Sequence, residues 1–163
     1  MNDFTHLDQD GRVRMVDVAD KDVTRRTAVA AGKVEMKKET LQKITTAGVK
    51  KGNVLEAARI AGVMAAKKTA DLVPMCHPLN LTHVQVDFFP DMDNSSVVIE
   101  ATASLAGRTG VEMEALTAVS IAGLTIYDMC KSYDRGMVIS DIHLQSKSGG
   151  KSGKFVADRY HNH

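Results

Sequence analysis

The stretch LTHVQVDFFPDMDNSSVVIEATASL, residues 81–105, decides the fold. Over 81–89, Thr82, Val84, Val86 and Phe88 fall on one face and His83, Gln85 and Asp87 on the other. Alternation at period two predicts a half-buried strand. Pro90 through Asn94 is turn-rich, and Val97, Ile99, Ala101, Ala103 and Leu105 then resume the alternation. Two strands about one loop predict an antiparallel hairpin.

Upstream, Asn53 with Glu56 three residues on resembles a capping box, and Val54, Ala58, Ala61 and Ala65 keep helical spacing, so a helix is predicted from about 53 to 70. Val73-Pro74-Met75-Cys76-His77-Pro78 follows it as a stiff loop, because each proline lacks a donor and restricts its neighbour. Downstream, Thr109 and Glu112 form a T-x-x-E capping pattern, and Leu116, Val119, Gly123, Ile126 and Cys130 run along one helix face. Val138, Ile142 and Leu144 mark a last strand; residues 24–36 supply an earlier one, with a short helix near 38–47. Residues 24–146 therefore read as an α+β, ferredoxin-like split βαβ sandwich, an antiparallel sheet with helices on one face. The first twenty residues would form an N-terminal extension, a strand or an arm. Residues 147–163 read as a flexible, basic, glycine- and serine-rich C-terminal tail.

The 163 residues suit one domain, and 44% hydrophobic with 25% charged residues excludes a disordered chain. No run approaches the ~18 apolar residues of a membrane span. The start, MNDFTHLDQDGR, lacks the basic-then-apolar order of a signal peptide. Cys76 and Cys130 cannot form a disulfide framework, so a cytoplasmic protein with reduced thiols is expected. Net charge is +1, but residues 147–163 carry Lys147, Lys151, Lys154 and Arg159 against Asp158, which is +3. The remainder is therefore −2. With 4% aromatics and no Trp, base stacking is not expected and nucleic acid is not the partner.

Asp128 and Lys131, three apart on the second long helix, are surface neighbours. An exposed ion pair is the ordinary outcome. The small side chains Ala118, Ala122, Gly123 and Thr125 permit close approach by another element, and crowding would perturb both groups as proton transfer requires. Glu112 is accounted for by its capping position. Glu114 lies fourteen residues before Asp128, roughly 21 Å along the axis. Either the two acids serve separate purposes or a site combines them from two chains. His77 sits on a rigid backbone with an imidazole near its switching pH. Adjacent Cys76 and His77 diverge without a paired ligand motif, so no zinc site is expected. Gly150-Lys151-Ser152 matches the end of a Walker A pattern, but the required upstream glycine is Gln145. Glycines and lysines in this segment suit an anion nevertheless.

MVDV at 15–18, KGNVLEAARIAGVMAAKKT at 51–69, PMCHPL at 74–79, TGVEMEALTA at 109–118, LTIYDMCK at 124–131 and KSGGKSG at 147–153 occur in order. Together they resemble the bacterial cyclic pyranopterin monophosphate synthases of molybdenum cofactor biosynthesis. The resemblance implies a ferredoxin-like enzyme, a phosphorus–oxygen lyase acting on 3′,8-cyclo-7,8-dihydro-GTP with release of pyrophosphate. It implies a homohexamer, a trimer of dimers, with active sites at the dimer interface. By position, the acid–base pair falls on Asp128 and Lys131, with Lys51 a second acid–base candidate. Substrate-binding positions fall on Met75, Cys76 and His77, on Met113 and Glu114 beside Glu112, and on the basic residues Arg26, Lys67 and Lys147. Magnesium could accompany the phosphates, though no protein ligand set is legible. Arg108 and Asn80 depart from the frequent lysine and proline. The rival reading is a non-catalytic nucleotide-binding or regulatory ferredoxin-like module, which would not need Asp128 and Lys131 on one helix.

Overall fold

The computed structural model describes residues 7–8, 10–46, 50 and 52–158. The elements are β1 (Thr24–Glu35), α1 (Lys38–Thr45), α2 (Val54–Lys67), α3 (Thr69–Leu72), β2 (His83–Asp91), β3 (Ser96–Gly107), α4 (Glu112–Cys130), β4 (Val138–Ser148) and β5 (Phe155–Val156). One five-stranded sheet runs in the order β2-β3-β1-β4-β5. The expected hairpin is β2–β3, in register from His83↔Ser104 to Asp91↔Ser96. Strand β3 pairs antiparallel with both β2 and β1, so β1 and β2 run parallel with β3 inserted between them. Likewise β1 separates β3 from β4. These are two interleaved split βαβ units, the arrangement expected from the order of elements.

The alternation of β3 puts Val97, Ile99, Ala101, Ala103 and Leu105 in the core with Ala28, Ala30 and Val34 of β1. Helices α2 and α4 close that core, and they approach tightly at Gly62. A Cβ there would stand 3.1 Å from the Ala118 carbonyl and 3.1 Å from Val86. Ala118 and Ala122 of α4 serve this crossing, whereas Gly123 faces Val34, Ile99 and Ile139 of the sheet. By length and mean hydropathy, 1.2, α4 would pass as a membrane span, which the reading by apolar runs did not anticipate. Here it is a core helix packed on the sheet and on α2.

Three local readings are corrected. Helix α2 is N-capped as expected by Asn53, whose side chain accepts from Glu56 N–H at 3.1 Å, but it stops at Lys67, and α3 is a separate turn. Helix α4 begins after Val111 with no side-chain cap, so Thr109 and Glu112 do not form a capping box. Strand β4 runs past the expected limit of 146 to Ser148, and β5 adds an edge strand, Ser146↔Val156 and Lys147↔Phe155, so part of the expected flexible tail belongs to the sheet.

Long-range contacts supply what local sequence lacks. Helix α1 has no side-chain cap of its own; the buried Asp134 carboxylate accepts from Lys37 N–H at 2.8 Å and from the Thr40 hydroxyl at 3.5 Å. A carboxylate there also complements the positive end of the helix.

Candidate active site

The start of β1, the residues after β3 and the end of β4 lie beside the start of α4. Two clefts result, of about 520 Å³ and 510 Å³, each within the size range of small-molecule sites. They share Lys21, Thr109, Gly110, Glu112 and Lys147, so they are two lobes of one depression.

The first lobe is cationic. Lys21, Arg26, Arg108, Lys147 and Lys151 line it, against the acids Asp22 and Glu112. Arg26 donates through Nε to the Gly107 carbonyl at 3.3 Å and through a terminal nitrogen to the Arg108 carbonyl at 3.4 Å. Its guanidinium is therefore fixed across the end of β3. Gly149 and Gly150 turn the chain over it with φ of 101° and 72°, conformations that disfavour any side chain. A Cβ at Gly149 would overlap the Arg25 carbonyl, and one at Gly150 the Arg26 guanidinium. The KSGGKSG segment is thus a backbone turn laid directly on a cationic strand. The glycines permit the contact and the lysines add charge.

The second lobe is lined by Met75, Cys76, His77 and Leu79 from the proline-bounded loop, and by Met113 and Glu114 from the first turn of α4. Val16 and Val18 of the N-terminal arm complete it. His77 Nε2 lies 2.8 Å from the Val16 carbonyl. A carbonyl oxygen only accepts, so Nε2 carries the hydrogen in this contact. Glu114 is 4% exposed. Burial pushes its carboxyl above the ordinary carboxylate range; backbone hydrogen bonding opposes this, and the Glu112 charge reinforces it. Burial also raises the Cys76 thiol, with a further contribution from the Glu114 charge.

Among the residues shared by the two lobes, Lys147 Nζ donates to Glu112 Oε1 at 2.8 Å. This pair is the fate of the carboxylate that local pattern assigns to a cap. Arg26, Lys147, Glu112, Glu114, Met113, Met75, Cys76 and His77 therefore meet in one depression.

Other expected site residues lie elsewhere. Asp128 and Lys131 form an ion pair, Nζ to Oδ1 2.6 Å, at the opposite end of α4, with side chains 63% and 53% exposed. The Asp128 hydrogen bond raises the Lys131 ammonium above its ordinary value. Neither residue lines the depression, and the crowding expected around them is absent within one chain. Lys67, exposed at the end of α2, does not line it either. Lys51 lies outside the described residues. Its neighbour Lys50 donates its backbone N–H to the Tyr133 hydroxyl at 3.3 Å, which joins the segment before α2 to the turn after Lys131.

Residues 15–150 match the MoaC family. The chain belongs to the MoaC family.

Relatives of this MoaC-family chain match it end to end. It is 76% identical over 160 residues to the cyclic pyranopterin monophosphate synthase of Desulforapulum autotrophicum, which covers 98% of both chains. The synthase of that name from Desulfatibacillum aliphaticivorans is 67% identical over 96% of this chain and 98% of its own. That of a Roseiflexus species is 61% identical over 97% and 100%.

Sequence reasoning missed Lys21 and Arg108 as lining groups of the MoaC-family depression. Arg108 Nε donates to the Lys21 carbonyl at 3.1 Å, a contact across 87 residues that no local pattern announces.

Proposed function

We propose that this chain is an enzyme of molybdenum cofactor biosynthesis, a lyase that converts 3′,8-cyclo-7,8-dihydro-GTP to cyclic pyranopterin monophosphate and releases pyrophosphate. The observation that carries this reading is the end-to-end match to synthases of that name, laid on a depression with one cationic and one mixed lobe. A non-catalytic binding module is not favoured, because the relatives carry the name of a synthase.

The two lobes suit the two halves of such a substrate. Phosphates would lie against Arg26, Lys147 and the Gly149–Gly150 turn, where cations and backbone N–H groups neutralise them. The ring system would occupy the lobe of Met75, Cys76, His77, Met113 and Glu114. Closing the cyclic phosphate requires a sugar hydroxyl to attack the α-phosphorus as pyrophosphate departs. Positioning and charge neutralisation would do most of that work. Glu114, held protonated more readily than an exposed carboxylate, suits proton exchange with the rings. Among the described residues no three His, Cys, Asp or Glu side chains gather as a metal site. A magnesium ion would arrive on the phosphates themselves, and no step is assigned to it.

Asp128 and Lys131 would act from a second copy of the chain. In that arrangement Lys131, oriented by Asp128, shuttles protons in a depression formed by its partner, with Lys51 a second acid–base group and Lys67 a further cation. Desolvation on assembly would counter the present upward shift of Lys131 and ease release of its proton. The assembly is then a homohexamer, a trimer of dimers, in the cytoplasm.

The test is incubation of the purified chain with the cyclised triphosphate, following pyrophosphate and cyclic pyranopterin monophosphate together. Equimolar appearance of both supports the reading. Retention of unchanged substrate by a folded, assembled protein overturns it.

A further inference from the structure

We infer that Lys21 is an additional substrate-binding cation, held over the junction of the two lobes by an arm pinned at both ends. The inference rests on the function proposed above and adds a residue to it.

Of residues 16–21, Val16, Val18 and Lys21 line the depression. The Val16 carbonyl accepts from His77 Nε2 at 2.8 Å, and the Lys21 carbonyl accepts from Arg108 Nε at 3.1 Å. Between them the arm turns on itself, Lys21 N–H donating to the Val18 carbonyl at 3.1 Å and Ala19 N–H to the Asp17 carboxylate at 2.9 Å. Both pins come from residues of the depression, one from each lobe. The arm is therefore part of the site's wall.

Lys21 lines both lobes, as Lys147 does. Their circumstances differ. Lys147 is committed to Glu112, and Arg26 and Arg108 spend donors on backbone carbonyls. Among the described residues Lys21 has no ion pair; it is an exposed ammonium on a flexible stem whose backbone alone is fixed. An ammonium of this kind acts as a mobile point charge that can follow an anion without demanding a fixed geometry.

The chemistry locates that anion. Where phosphates occupy one lobe and rings the other, the α-phosphate must sit at the junction, and Lys21 is among the residues that line both sides of it. Because the phosphate is charged before as well as during the reaction, losing this contact falls mainly on KM.

The side chain is tested separately from the arm, since both pins use backbone carbonyls that any substitution leaves in place. Lys21→Ala should raise KM for the cyclised triphosphate roughly ten-fold with kcat little changed, and weaken binding of GTP, which carries an α-phosphate, by a similar factor. Lys21→Arg should restore most of both, and the unfolding midpoint and assembly size should match the unsubstituted chain. Wild-type KM and GTP affinity in Lys21→Ala would overturn the inference. So would a loss in kcat alone, or a loss that Lys21→Arg does not rescue. If the unsubstituted chain forms no product at all, the underlying function fails instead, and the titration with GTP still reports on Lys21.

Discussion

Lys147 Nζ and Glu112 Oε1 lie 2.8 Å apart, so the end of β4 and the first turn of α4 are bridged by two residues that line both lobes of the depression. Both side chains are less than a third exposed, at 30% and 26%, which limits but does not abolish screening. The bridge ties together the cationic lobe and the lobe of Met75, Cys76 and His77.

Breaking this pair should affect stability modestly and function strongly. A double-mutant cycle with Glu112→Gln and Lys147→Met should give a coupling of about 0.5–1 kcal/mol in urea unfolding. Turnover by either single variant should fall by well over ten-fold, because each loss leaves an uncompensated charge facing the substrate. A stability coupling near zero with wild-type turnover would show that the bridge contributes neither to folding nor to the reaction.

The Gly149–Gly150 turn makes a sterically sharper prediction. Gly149→Ala must adopt a φ of 101° while its Cβ meets the Arg25 carbonyl. The cost should be about 1–2 kcal/mol or more, read from the urea midpoint. Pyrophosphate affinity should fall as well, since the turn cannot keep its place on β1. Gly153→Ala is the control, having a positive φ but open space around its Cβ. It should show strain without loss of affinity.

Glu114 and Cys76 report on each other. Because burial raises the Glu114 carboxyl, the folded chain binds its proton more tightly than the unfolded chain does. Stability from this source is present below the ordinary carboxylate value and declines as pH rises through the folded one. Glu114→Gln should therefore flatten the fall of Tm with rising pH across that window. The same substitution removes a negative neighbour from the Cys76 thiol, lowering its pKa and accelerating alkylation at pH 8. Unchanged alkylation would show that the two groups do not interact.

Much of this architecture was legible because it rests on local pattern. The 81–89 and 97–105 alternations gave β2 and β3, and Asn53 with Glu56 marked the start of α2. Patterns that depend on distant partners were not legible. Thr109 and Glu112 have capping spacing, yet the Glu112 carboxylate is drawn to Lys147 from 35 residues away. Strand β4 is hard to read because its register against β1 shifts twice. One shift places Asp141 and Ile142 opposite the single residue Gly32, with Asp141 at φ 54°. Such bulges break the period-two pattern from which faces are inferred. Two-residue β5 is too short to carry any period. In the site, the quoted motifs led to most lining residues, whereas Lys21 owes its place to Arg108 and has no signal in its own neighbourhood. The roughly 21 Å from Glu114 to Asp128 was readable from helix geometry alone, and it already required two chains if both serve one substrate.

In the shared site proposed above, the depression of one chain works with Asp128 and Lys131 of another. The most direct measurement mixes Lys147→Ala with Asp128→Ala, each inactive alone, after confirming that each assembles. Dissociating and reassembling the mixture should restore about one quarter of the unsubstituted rate, since roughly one site in four then has both halves intact. Hybrids that form, as shown by mass, yet remain as inactive as their parents would contradict the shared site.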